Sequence, residues 1–186
     1  PDKLAILALR NAVIFPGMVF PVTIGREKSI RLVRDAETNE MIIGAVPQKD
    51  LAVEDPKGED LFEYGTACKI IKLLEMPDGT ITDILQAARR FRLGPVLALE
   101  PYITARVVYV EDIASENDVN TKVMADAIKE RAAAVIRASS FAPKEAVGAL
   151  KSIENFAFLV NFVSTTVEVE NFSDKVDLLR YDELKV

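Results

Sequence analysis

The period of the hydrophobic positions changes along this chain. From Leu4 to Leu9 and from Val19 to Ile24 the apolar residues run together, and Phe15-Pro16-Gly17 lies between the two runs. Proline there fixes φ and glycine permits a positive φ, so two strands with an irregular connection are predicted. Between Gly25 and Arg34 the period turns helical, with Ile30, Leu32 and Val33 toward one side and charges on the other, which predicts a short half-exposed helix. Glu40 to Val46 reads as a strand again. Pro47 to Gly58, rich in Pro, Asp and Lys, reads as a surface loop. Ala67 to Leu74 and Ile81 to Leu85 flank Met76-Pro77-Asp78-Gly79-Thr80, whose Pro-Asp-Gly centre encodes a hairpin turn. From Tyr102 to Val110 alternation places Ile103, Ala105, Val107 and Tyr109 on one face of a further strand.

Beyond Glu111 and Asp112 the chain becomes alanine-rich and helical. Val123, Met124, Ala127, Ile128, Ala132, Val135 and Ile136 recur at spacings of about three and four residues, predicting one apolar stripe on a helix that stops near Ser139-Ser140. A second helix is expected from Pro143, which a first turn tolerates. A third carries Phe156, Leu159, Val160, Phe162 and Val163, and a fourth, capped by Ser173, carries Val176, Leu178 and Leu179. The expected class is α+β: a β-rich unit over residues 1–112 with one short helix, followed by an α-helical bundle over 113–186.

Composition narrows the function classes. The chain is 49% hydrophobic and 28% charged, with no run of apolar residues long enough to span a bilayer. Its net charge of −6 opposes general binding to nucleic acid, which needs a surplus of cations on one face. Histidine is absent, which removes the usual general base near neutral pH, the His-containing triads and the commonest metal ligand. The lone Cys68 can form neither an intramolecular disulfide nor a clustered zinc site, and Pro1-Asp2-Lys3 does not open a secretory leader, so a reducing cytoplasm is expected.

No catalytic constellation emerges from the motifs. A P-loop, a GxSxG elbow and an HExxH helix are all missing. The carboxylate pairs Asp50 with Glu54 and Glu59 with Asp60 read as solvated loop charges. Cys68, within a strand beside Ala67, Ile70 and Ile71, reads as buried and inert despite Lys69 and Lys72 nearby. The segment from Leu7 to Val22, running into Gly25-Arg26-Glu27-Lys28-Ser29-Ile30, places three large apolar side chains, Phe15, Met18 and Phe20, beside a charged helix. Any of the three can fill the core. Any that turns outward makes an apolar patch with a charged rim, the form of a protein-binding surface. The candidate binding set is therefore Phe15, Met18 and Phe20 flanked by Arg26, Glu27, Lys28 and Arg31.

Leu7, Leu9 to Asn11, Val13, Phe15 to Met18, Pro21, Gly25, Arg26 and Ser29 together resemble the opening signature of Lon protease N-terminal domains. Gln48-Lys49-Asp50, Tyr64-Gly65-Thr66, Pro77-Asp78-Gly79-Thr80 and Pro101-Tyr102 follow in the family's order. Leu159-Val160-Asn161-Phe162-Val163 and Asp174-Lys175-Val176-Asp177-Leu178-Leu179 resemble two of its helices. Ala8 departs from the usual Pro, and Ala87-Ala88 stands where a Gly commonly precedes an Arg-containing strand; either position 87 has an ordinary negative φ or the local bend differs there.

The resemblance implies a PUA-like β pseudo-barrel followed by a helical bundle, non-catalytic in itself. In such a protein this part catches unfolded or degron-bearing substrates and helps a homo-oligomeric, usually hexameric, ring assemble. It holds no cofactor of its own: ATP, magnesium and the Ser-Lys endopeptidase belong to further domains of the parent. Two other functions are compatible with a fold of this kind. A PUA-like RNA-binding module is opposed by the net charge and by the lack of aromatics interleaved with the cations. A Lon-domain ubiquitin-ligase adaptor would need clustered cysteines for its zinc domain.

Overall fold

A computed structural model describes residues 2–111, 119–139 and 145–180. Six strands lead the chain: β1 (Lys3–Leu9), β2 (Val19–Ile24), β3 (Ile42–Pro47), β4 (Tyr64–Glu75), β5 (Ile81–Ala98) and β6 (Thr104–Tyr109), with helix α1 (Glu27–Thr38) between β2 and β3. Four helices follow: α2 (Val119–Ala138), α3 (Glu145–Ser152), α4 (Phe156–Thr166) and α5 (Phe172–Asp177). The sheet order is β2-β5-β4-β3-β1-β6, and β5 also pairs with β6. Strands β5, β4, β3, β1 and β6 thus close into a ring, while β2 lies outside it on the first half of β5.

The apolar run of β1 has a physical cause in this closure, because the strand is covered on both faces. Leu4 and Ile6 point into the ring with Val46, Ala67, Phe91, Ala105 and Val107. Leu7 and Leu9 point the other way, into a second layer with Ile43, Cys68, Ile70, Leu85 and the buried face of α1, Leu32, Val33 and Ala36. Phe91 fills the ring where Gly44 and Gly65 leave space. A Cβ at Gly44 would stand 2.7 Å from the Phe91 ring, and one at Gly65 would stand 2.6 Å from the Ala45 carbonyl. Helix α1 runs four residues past the predicted end at Arg34 and stops where Glu40 takes φ 50° and the Met41 amide donates to the Ala36 carbonyl. The hairpin turn forms as its residues dictate: Gly79 sits at φ 84°, and Asp78 Oδ1 accepts from the Thr80 amide and hydroxyl at 2.9 and 2.6 Å.

Strands β4 and β5 extend well past the apolar segments that suggested them. β4 carries register shifts between Ala67 and Cys68 and between Ile70 and Lys72. Ala87 lies within β5, and among the described residues only Asn11, Glu40, Gly17 and Gly79 have positive φ, so of the two alternatives for position 87 the structure has the ordinary negative φ.

The helices correct two expectations. On α2, the side toward α3 and α4 carries Met124, Ile128, Ala132, Ala133 and Ile136, whereas Val123, Ala127 and Val135 are exposed. Seven apolar positions spread over too wide an arc of one helix for all of them to reach one core. Helix α5 starts after Asn171, so Ser173 lies inside the helix and is not its cap. Helix α2 ends at Ala138, at the stop expected near Ser139-Ser140. The expected boundary between residues 112 and 113 and the Pro143 helix start lie outside the described residues.

Helix α5 is tied to the β part. Its Val176, with Leu179 just beyond, packs on Val13 and Phe15, and Arg90 Nη1 donates to the Leu179 carbonyl at 3.0 Å. Phe158 of α4 lies against Gly17.

Asp83 is the anomaly of the inner layer. It is 0% exposed, lies between Val22 and Leu73 in the sheet, and neither carboxylate oxygen has a hydrogen-bond partner among the described residues. Burial, with Glu37 of α1 facing it, pushes its carboxyl up to about 7 from the ordinary 3.8. The unfolded chain therefore ionises first, and stability should fall as pH rises from about 4 to about 7 and then level off. Asp83→Asn should remove that slope and raise stability at pH 8 by roughly 2–4 kcal/mol, read from urea unfolding of both proteins at pH 5, 7 and 8.

Candidate binding face

The predicted apolar trio does not come together. Phe15 is 1% exposed beneath α5, clustered with Val13, Val176 and Leu179. The expectation that it presents a binding surface is corrected by that packing: the loop folds inward because Gly17 and Met18 bond to Ala87 of β5, the Gly17 amide donating at 3.0 Å and the Met18 carbonyl accepting at 2.9 Å. Met18 packs half-buried on the Phe15 cluster, while Phe20, on the inner side of β2, packs on the layer beneath α1.

Two charged residues of the predicted rim, Arg26 and Lys28, have structural work. Arg26 Nη2 donates to Gln48 Oε1 at 2.6 Å and to the Val53 carbonyl at 3.2 Å. Gln48 is wholly buried, and its Nε2 donates to the Asp50 and Val53 carbonyls. This clasp holds the loop after β3, and it accounts physically for the Gln48-Lys49-Asp50 landmark. Desolvation, then the nearby Arg10, lowers the Arg26 pKa. Lys28 bridges Asp55 at 3.2 Å and Glu100 at 2.8 Å, and Arg10 pairs with Glu54 at 2.8 Å. Glu27 and Arg31 are exposed on α1. Cys68 is buried, and desolvation pushes its thiol up to about 12, so it stays protonated and unreactive at neutral pH.

A different surface has the character expected of a binding patch. Where the sheet leaves the ring, the face opposite α1 is no longer covered. Three cross-strand rows lie on it: Val19–Gln86–Lys69–Ile42, Pro21–Ile84–Lys72 with Ile71 bulged beside it, and Thr23–Thr82–Leu74. Val19 is 56% exposed, Ile71 53%, Ile42 43% and Leu74 40%. An antiparallel sheet with one covered face normally turns polar residues to water on the other. Here six apolar side chains, counting Pro21 and the half-buried Ile84, occupy the outward positions. The signal in the sequence is the loss of alternation in Val19-Phe20-Pro21-Val22 and Ile70-Ile71, where apolar residues fall on both parities. That pattern could equally mean two-sided burial, as it does in β1.

Elsewhere a groove of about 1120 Å³ runs between the 3-10 turn over Gly58–Asp60 and α5. Leu61, Phe62, Val96, Leu97, Leu99 and Val176 line it, and its rim mixes Lys49, Lys57 and Arg180 with Glu59, Glu63 and Asp177. Among the described residues no helix is long and apolar enough to cross a membrane.

The family described as the ATP-dependent protease La (LON) substrate-binding domain matches residues 3–185. This chain belongs to that family. The Lon protease of Flavobacterium johnsoniae is 42% identical over 186 residues, covering all of this chain and 23% of that protein. That of Cytophaga hutchinsonii is 36% identical over 184 residues, covering 98% of this chain and 22% of that protein. The chain thus spans less than a quarter of the length of these curated relatives. Two solved structures share the fold at 16% identity. The N-terminal domain of Mycobacterium avium complex Lon protease has a TM-score of 0.76, covering 96% of this chain and 90% of that one. The Lon N-terminal domain protein from Xanthomonas campestris scores 0.68, covering 97% and 91%. These matches favour neither an RNA-binding module nor an adaptor.

Within this Lon substrate-binding domain, Phe15 has the position of a structural pin. Phe15→Ala should destabilise the fold by about 3–5 kcal/mol through lost burial and the cavity left under α5. The midpoint of urea unfolding, followed by circular dichroism, measures it; an unchanged midpoint would show that Phe15 is not a core residue.

Proposed function

We propose that this chain is the non-catalytic part of a Lon-type protease that captures unfolded or damaged polypeptides, and that the open β2–β5–β4 face does the holding. The observation that carries this reading is the exposed set Val19, Ile42, Ile71 and Leu74 on a sheet face that would ordinarily be polar. Unfolded clients share exposed apolar side chains and little else, so a flat, shallow apolar surface suits them better than one deep pocket. Each side chain of this kind, once covered, contributes about 1 kcal/mol, given that full burial yields about 1.5–3. One copy therefore binds weakly. Several copies on a homo-oligomeric, hexameric ring would turn the second contact into an intramolecular one, and useful retention follows from that.

The match to a substrate-binding family supports the capture role, and the relatives' names support a parent protease whose ATP, magnesium and Ser-Lys chemistry lie outside this chain. The closed ring with α1 packed against it supports the PUA-like pseudo-barrel. The shared core of α2, α3 and α4 supports a C-terminal bundle that leads toward the rest of the parent and assists its assembly. Cytoplasmic residence fits the single reduced cysteine.

The test is a double substitution on the open face. Ile71→Ser with Leu74→Ser should weaken binding of a labelled, chemically denatured protein by about tenfold or more, the loss of two such contacts, while the urea midpoint moves little because both positions are exposed. Undiminished binding with the fold intact would remove the reading.

A further inference from the structure

We propose that the open face selects among clients by charge, preferring apolar segments flanked by carboxylates, with Lys69 and Lys72 as the selecting groups; this rests on the reading that the face holds clients. The chain carries 29 acidic and 23 basic residues, so its surface as a whole repels anionic segments. The open face is the reverse. Its outward positions hold Lys69 and Lys72 and no aspartate or glutamate.

The two ammonium groups are also uncommitted. Arg10, Lys28, Arg34 and Arg92 each pair with a carboxylate of this chain, whereas the side chains of Lys69 and Lys72 have no hydrogen bond or ion pair among the described residues. Their placement depends on a backbone irregularity. Positions 69 and 72 are an odd number apart and would fall on opposite faces of a regular strand. The register shift between Ile70 and Lys72 adds one residue to β4, and both lysines emerge on the face that carries Val19, Ile84 and Leu74. Their methylene stems extend the apolar surface while the ammonium heads stand at its edge, where a flanking carboxylate of a bound segment would arrive.

Exposed ion pairs are individually weak, so two lysines should favour an acid-flanked segment over a base-flanked one by roughly threefold to tenfold at low salt. Screening should erase the difference at high salt.

The experiment uses the full chain and two fluorescein-labelled, unstructured peptides with one Leu/Val-rich centre, flanked in one by Asp and Glu and in the other by Lys and Arg. Fluorescence anisotropy at low and high salt should show tighter binding of the acid-flanked peptide at low salt only. Lys69→Gln with Lys72→Gln should equalise the two, and Lys69→Glu with Lys72→Glu should invert the order, all variants keeping the parent urea midpoint. Equal binding of both peptides to the parent chain, or a preference that survives the charge reversal, overturns the selectivity while leaving the client face standing. Binding of neither peptide, or binding undiminished in the Ile71→Ser, Leu74→Ser variant, overturns the client face and the selectivity with it.

Discussion

The pairing of β5 is the constraint on which the rest of the molecule depends. It is bonded to β4 from Ile81 to Arg92, to β2 along its first half and to β6 along its second. A strand has two edges, and this one uses the same edge for two different partners in turn. Inside the span shared with β6 the sheet is a closed ring around Phe91. Inside the span shared with β2 it is an open three-stranded flap. One backbone thereby produces both a sealed core and an uncovered sheet face.

The character of that uncovered face follows from the ring. Ile42 lies on the same side of β3 as Gly44 and Val46, which face the ring interior. The flap continues a barrel lining past the point where the barrel ends, so apolar residues that would be core a few residues further on meet water instead. The other side of the flap remains covered by α1, and there Asp83 is enclosed with no hydrogen-bond partner for its carboxylate among the described residues. Burial holds this carboxyl protonated below neutral pH, and its ionisation is deferred to about pH 7.

The opening loop has a different part from the one its composition suggests. Phe15 and the adjoining Val13 form the seat on which Val176 and Leu179 dock, so the most distinctive segment of the sequence joins the β part to the last described helix. Arg26 and Gln48 likewise spend their polarity on holding the loop after β3. Distinctive residues here serve the architecture, and the surface with binding character is made of residues that look ordinary in sequence.

The sequence by itself determined the strand and helix order, the hairpin turn at Pro77-Asp78-Gly79, the inert thiol of Cys68 and the family, because turn chemistry, short apolar runs and an ordered series of landmarks are local properties. It could not determine which way Phe15 and Phe20 face or how the apolar arc of α2 divides between core and water, since those depend on what covers each face. Nor could it place Lys69 and Lys72 on one side of β4. A bulge is set by register against the neighbouring strand, and one extra residue reverses every side chain beyond it. Only the tertiary structure, through the ring that closes at one end of β5 and opens at the other, decided where apolar surface and the two lysines meet.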